Sequence, residues 1–276
     1  MEKKLKKISK IVNFYLNNYL SKSNYSELIA PMKYGLFPGG KKIRSKIIFD
    51  VGKIFNINNK DLTILAASVE AIHAYSLIHD DLPCMDDDKL RRGKASTHVK
   101  FGESTAILAG NSLLTTAFEI LSDKNFNVDN KIKSRLVNFL SRCSGQTGIA
   151  GGQYLDLSYE KKKISLQKIL NMELKKTGKL FEFCCVAPLL IKKNKKNLIT
   201  FSKIGKDIGL LFQIVDDLID FKGKTKHAGK KTKKDIKKGK ATIISLLGYE
   251  NAVKYANKLK LNIYNKLKSH NKKQTI

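Results

Sequence analysis

Ile64-Leu65-Ala66-Ala67-Ser68-Val69-Glu70-Ala71-Ile72-His73-Ala74-Tyr75-Ser76-Leu77-Ile78, followed at once by His79-Asp80-Asp81, repeats its apolar side chains at intervals of three and four residues. That period belongs to an α-helix; a half-buried strand would alternate. The same spacing recurs through most of the chain. It predicts a series of about eight to ten helices, beginning with 1–20 and including approximately 60–82, 104–121, 130–150, 165–190 and 199–220. Segments 104–118 and 205–220 are apolar on more than one face, which suits the interior of a bundle. The expected fold class is all-α. Neither a composition shift nor a Pro/Gly/Ser linker divides the chain, so a single domain over 1–276 is expected. The glycine-bearing stretches Phe37-Pro38-Gly39-Gly40, Arg92-Gly93 and Lys222 to Gly239 read as loops.

The formal net charge of +29 invites a reading as a nucleic-acid or anionic-surface binder. Its lysines are spread along the whole chain, however, and no nucleic-acid-binding motif accompanies them, so no nucleic-acid partner is expected. Cys84, Cys143, Cys184 and Cys185 form no C-x-x-C pair and have no histidine at zinc spacing; reduced thiols in the cytoplasm follow. Leu5, Ile8, Val12, Leu16 and Tyr19 recur at helical spacing, which describes an amphipathic helix and not a signal peptide. No stable membrane insertion is expected, because no segment approaches the roughly 20 apolar residues that crossing a bilayer requires.

Eight of the fifteen aspartates lie in two short stretches, Asp80-Asp81-Leu82-Pro83-Cys84-Met85-Asp86-Asp87-Asp88 and Asp216-Asp217-Leu218-Ile219-Asp220. On a helix, Asp216 and Asp220 stand one turn apart, with Gln213 a further turn back and Asp217 beside them. Neighbouring carboxylates repel, so their approach needs a cation or raised pKa values. Oxygen donors without thiolate or imidazole suit magnesium, which keeps several waters and bridges one or two carboxylates to substrate phosphates. The apolar neighbours Leu211, Phe212, Ile214, Val215, Leu218 and Ile219 place the second cluster against a cavity.

Arginine is scarce, at positions 44, 91, 92, 135 and 142 only, and its planar fork grips phosphate as lysine cannot. Arg91 and Arg92 follow the first acidic cluster closely, an arrangement that describes a metal–diphosphate clamp. Upstream, Gly39-Gly40-Lys41-Lys42-Ile43-Arg44 offers a glycine turn with basic side chains for a second anion. His73 lies two turns ahead of Asp80 on the same face and is a further candidate contact.

In this order and spacing the motifs resemble the head-to-tail trans-polyprenyl diphosphate synthases, and among them the bacterial farnesyl diphosphate synthases. The resemblance runs from about Lys10 to Asn265. It rests on Gly39 to Arg44, His73 to Gly93, Gly152-Gln153 with Asp156-Leu157, Lys176-Thr177-Gly178, Phe212-Gln213 with Asp216-Asp217 and Asp220, and Gly239-Lys240 with Thr242. It implies a helical bundle around a deep cavity, usually a homodimer, with the two acidic motifs facing each other across the mouth. It further implies that Asp80, Asp81 and Asp86 bind magnesium from one wall and Asp216, Asp217 and Asp220 from the other. Together they would hold about three ions on an allylic diphosphate, with Arg91, Lys176, Thr177, Gln213, Lys230 and Lys240 as further contacts. Isopentenyl diphosphate would lie on Lys41, Arg44, His73 and Arg92.

The implied chemistry follows from charge: the leaving diphosphate is stabilised, the carbon–oxygen bond ionises, and isopentenyl diphosphate attacks the allylic cation. The catalytic set would be Asp80, Asp81, Asp86, Arg91, Lys176, Asp216, Asp217 and Lys240, with no protein nucleophile. Tyr75, beside Ser76, lies five residues before Asp80, roughly 7 Å along the helix, and could form the floor under a growing chain. In the family an aromatic residue here, with two extra residues in the first acidic motif (here within Leu82 to Met85), accompanies a fifteen-carbon product. A geranylgeranyl diphosphate synthase and a non-catalytic regulatory subunit are the alternative readings. Departures from the family pattern include Lys42 for a usual arginine, Ser45 for proline, Glu173 for a common histidine and Lys233 for glycine; the chain also stops short of most of a final helix.

Overall fold

The structure, a computed structural model, describes residues 2–22, 27–222 and 242–274. Its helices are α1 (Glu2–Leu20), α2 (Ile29–Leu36), α3 (Ile43–Ile54), α4 (Asn59–Asp80), α5 (Thr97–Phe101), α6 (Glu103–Ser122), α7 (Asn130–Ser144), α8 (Ile149–Ser158) and α9 (Leu166–Glu173). A π-helical turn (Leu174–Gly178), α10 (Lys179–Ile191), α11 (Leu198–Lys222), α12 (Ile243–Leu247) and α13 (Tyr249–Gln274) follow among the described residues. Among the described residues the only strands are β1 (Leu90–Arg91) and β2 (Lys94–Ala95), an antiparallel pair with Leu90 opposite Ala95 and Arg91 opposite Lys94. The fold is all-α, as the apolar period predicts.

The chain divides into two compact units, Met1–Ser141 with Ala187–Lys195, and Arg142–Val186 with Lys196–Ile276. In the first unit α4 is central and packs against α1, α2, α3 and α6. It begins at Asn58, whose side chain accepts a hydrogen bond from the Asp61 amide at 2.9 Å. It ends just before Leu82-Pro83, since a residue preceding proline is disfavoured in the α conformation. Its own Leu62, Leu65 and Ile72 are fully buried, as are Val12, Leu16, Ile48 and Leu113 of the helices packed against it. Against the expectation that no segment approaches a membrane span, α4 is long and apolar enough for one, but 78% of its most apolar window is buried in the protein. It is a core helix, apolar because it is enclosed.

The second unit gathers Ile169 and Met172 of α9, Leu210 and Ile214 of α11, Ile243 and Ile244 of α12, and Ala252, Ala256 and Leu259 of α13 into one core. Thr242 opens α12 with a capping box: its hydroxyl accepts from the Ser245 amide at 3.1 Å, and the Ser245 hydroxyl accepts from the Thr242 amide at 3.0 Å.

Two sequence-predicted helices are divided. The segment expected over 130–150 stops at Ser144 and resumes at Ile149, because Gly145-Gln146-Thr147-Gly148 forms a turn closed by the Gly148 amide on the Gly145 carbonyl at 2.9 Å. The segment expected over 165–190 passes through the π turn, a device that recurs at functional sites. No disulfide joins the cysteines. Burial pushes the Cys143 and Cys185 thiols up to about 12, so both stay protonated at neutral pH.

Candidate active site

In the first unit, the end of α4 and the turn after it wrap the leading acidic motif back on itself. The Asp86 amide donates to the Asp80 carbonyl at 2.8 Å, and the Asp88 amide to that of Asp81 at 3.1 Å. The β1–β2 pair then brings Arg91 onto Asp81: the guanidinium Nε donates to both carboxylate oxygens at 3.0 and 3.2 Å, and Nη2 also reaches Oδ1. Asp88 lies 3.6 Å from the same guanidinium. Burial raises the Asp81 carboxyl above the usual carboxylate range, with the Arg91 bonds opposing it. Arg91, read from sequence as a phosphate contact, is thus ion-paired with Asp81, and Asp80 and Asp86 share the same turn.

The basic patch is built on the same unit. Lys41 is exposed in the loop before α3, Arg44 sits in the first turn of α3, His73 on α4, and Arg92 between β1 and β2. The Arg92 guanidinium lies over Gly40, whose φ of +123° is a conformation that favours glycine. Burial, then the charges of Arg44, Arg92, Lys42 and Arg91, hold the His73 imidazole well below the usual histidine range; it is neutral at neutral pH.

Sequence reasoning missed Glu70. Its carboxylate pairs with the Lys42 ammonium at 3.3 Å and accepts from the Ser45 hydroxyl at 2.6 Å, with the two charged side chains only 5% and 7% exposed. The available signal was one glutamate in an otherwise apolar stretch, three residues before His73. Lys42 and Ser45, the two departures noted beside the glycine turn, thus converge on a single carboxylate.

In the second unit the π turn carries Lys176 and Thr177. Gly152 of α8 approaches it so closely that a Cβ would lie 2.2 Å from the Lys176 amide nitrogen. The Lys176 ammonium donates to Asp156 at 2.6 Å, a partner for which the sequence suggested no role. Thr177 donates to the Gln213 amide oxygen at 3.3 Å, and the Gln213 amide nitrogen donates to Asp217 at 2.9 Å. Gln213 is thus linked to Asp217, four residues on, and the sequence reading had placed it in line with Asp216. Asp217 and Asp220 are buried, and Asp216 is exposed. Lys230 and Lys240 lie outside the described residues.

Both acid sets offer carboxylate oxygens alone. Among the described residues no three His, Cys, Asp or Glu side chains converge to enclose an ion by themselves. A cation that keeps its waters and takes part of its shell from substrate phosphates fits such open sets, and magnesium is that cation.

An all-helical scaffold carrying an acid–arginine ion pair, a basic glycine turn and a second, partly buried acid set defines a prenyl-chain synthase. The chain belongs to the polyprenyl synthetase family, whose profile matches residues 25–276. It is 42% identical to the farnesyl diphosphate synthase of Escherichia coli (strain K12) over 235 residues, 84% of this chain and 79% of that protein. The apo crystal structure of an FPP/GFPP synthase from Zymomonas mobilis is similar with a TM-score of 0.84 and 34% identity, covering 98% of this chain and 94% of that one. A geranyltransferase from Helicobacter pylori, complexed with magnesium and isoprenyl diphosphate, gives a TM-score of 0.82 at 29% identity, covering 96% and 91% of the two chains.

Proposed function

We propose that this chain is a farnesyl diphosphate synthase: a magnesium-dependent prenyltransferase that condenses isopentenyl diphosphate head-to-tail with dimethylallyl or geranyl diphosphate. The observation that carries the reading is the Asp81–Arg91 clamp at the end of α4, in a chain 42% identical to a farnesyl diphosphate synthase. The family match crosses both units, which supports their serving one synthase domain.

Asp80, Asp81 and Asp86 in the first unit, and Asp216, Asp217 and Asp220 in the second, are the magnesium ligands of this reading. Magnesium, when bound, supplies charge neutralisation for the allylic diphosphate as it leaves. Arg91 and Lys176 sit beside these acids to hold diphosphate oxygens, while Gln213 orients Asp217 and Thr177 anchors Gln213. Lys41, Arg44 and Arg92 hold the diphosphate of isopentenyl diphosphate. His73, buried and neutral beside Arg44, Arg92, Lys42 and Arg91, contributes a hydrogen bond there and no charge. The attacking double bond then forms the new carbon–carbon bond, and the proton lost goes to the released diphosphate.

The test is incubation of the purified protein with labelled isopentenyl diphosphate, an allylic primer and magnesium, followed by chain-length determination. A fifteen-carbon product that vanishes on chelation of magnesium and returns on its addition is expected; no product with any primer sinks the reading. Sedimentation velocity checks the homodimer, and fractionation the cytoplasmic location, that belong to the same proposal.

Tyr75 is 8% exposed on α4, five residues before Asp80, and in this reading its ring is the floor under the growing chain. Tyr75→Ala opens that floor and is expected to move the main product from fifteen to twenty carbons or beyond. An unchanged fifteen-carbon product from the folded variant removes Tyr75 from the determination of length.

A further inference from the structure

We infer that His79 and Gly110 set product length through Tyr75, by fixing the position of its ring. The inference rests on Tyr75 being the floor under the growing chain.

His79 follows Tyr75 by one turn of α4, and the two rings meet edge to face, with centroids 5.5 Å apart and planes at 89°. The imidazole is held at its far side: Nε2 lies 3.1 Å from the Ile107 carbonyl on α6. A carbonyl only accepts, so Nε2 is the donor in this contact. Space for the ring exists because residue 110 has no side chain. A Cβ on Gly110 would lie 2.2 Å from Nε2 and 2.4 Å from Cδ2, closer than any atom pair tolerates. The arrangement is a chain of three contacts: the backbone of α6, the imidazole, and the phenol ring.

None of these contacts is needed to bind magnesium or diphosphate, yet the imidazole limits where the Tyr75 ring can turn. A side chain in a helix has few rotamers, and a ring bearing on its edge removes some of them. His79 is thus a positioning residue, acting on specificity through Tyr75. The rest of the buried face of α6 carries side chains, at Ala106, Ala109, Leu113, Thr116, Ala117, Ile120 and Leu121, and the one glycine falls where the imidazole lies.

The experiment measures product chain length, with thermal denaturation confirming folding, for His79→Ala, Tyr75→Ala, the double variant, and Gly110→Ala alone and in the His79→Ala background. His79→Ala is expected to raise the share of products longer than fifteen carbons roughly threefold, the population change that follows loss of one aromatic contact. The double variant should give the pattern of Tyr75→Ala alone. Gly110→Ala should alter the pattern when the imidazole is present and leave it unaltered when it is absent. If Tyr75→Ala lengthens the product and folded His79→Ala does not, the positioning role is overturned and the floor reading stands. If Tyr75→Ala changes nothing, the floor reading falls and takes this inference with it. Should His79→Ala fail to fold, Gly110→Ala decides alone, and an unchanged product pattern overturns the inference.

Discussion

Asp216→Ala folds as the parent does and loses about 10²–10³ in kcat, the scale seen when one charge-stabilising group is removed from a reaction centre. Asp216 is the member of the second acid set that isolates this effect, because it is exposed while Asp217 and Asp220 are buried. Truncating an exposed side chain usually changes stability by about 0.5 kcal/mol or less, so a fall in rate with an unchanged melting curve reports chemistry and not folding. Asp217→Ala would be ambiguous: it also removes the acceptor of the Gln213 amide and loosens the chain from Thr177. Steady-state kinetics across a magnesium titration, with circular dichroism melting as the control, make the measurement. Because the remaining carboxylates still recruit the ion more weakly, the variant should need more magnesium to reach half of its residual rate. A kcat within about threefold of the parent at saturating magnesium, far short of the loss a charge-stabilising group entails, would remove Asp216 from the metal-binding set.

What the sequence disclosed depended on the range of the interaction involved. Helical periodicity is local, so α1, α4, α6 and α11 lie close to where apolar spacing placed them. The acidic and arginine motifs are also nearly contiguous, so Asp80, Asp81 and Arg91 stood out together before the β1–β2 pair was seen to bring Arg91 onto Asp81. The break after Ser144 and the π turn were not, although Gly145, Gly148 and Gly178 were visible. A glycine inside a helical pattern lowers helix propensity without saying whether the helix ends or widens. In the π turn, the close approach of Gly152, some twenty residues away in sequence, coincides with the widened backbone.

Long-range pairings were the part hidden altogether. Asp156 accepts from Lys176 across twenty residues, and Ser45 donates to Glu70 across 25. Nothing in the local pattern of either carboxylate distinguishes such a partner from water. The sequence reading accordingly placed Lys176 on a phosphate alone, whereas in the structure its ammonium also has a carboxylate counterion. A lysine so paired is held in one direction, which suits a contact that must be ready before the substrate arrives.

Glu70→Leu should cost about 3–5 kcal/mol of stability, because it strips the carboxylate from a buried cation. Lys42 is 7% exposed and its ammonium lies 3.3 Å from Glu70, while the Ser45 hydroxyl donates to the other carboxylate oxygen at 2.6 Å. Without Glu70 the ammonium is left in surroundings already crowded by Arg44 and Arg92, the cations that depress His73. Neither burial nor like charge favours it there. Urea denaturation followed by circular dichroism gives the loss. Adding Lys42→Met to Glu70→Leu removes both charges and fills the space with apolar side chains of similar size, so most of the lost stability should return. The double change also leaves the net charge of the patch as it was, so the KM for isopentenyl diphosphate should move little in it. A single-variant loss below about 1 kcal/mol would mean that the pair behaves as an exposed ion pair does. The convergence of Lys42 and Ser45 on Glu70 would then carry no stability, and the two departures from the family pattern would have to be explained separately. A full loss with recovery in the double variant makes them one adaptation, in which the lysine and the serine share the task of holding a buried carboxylate at the start of α3.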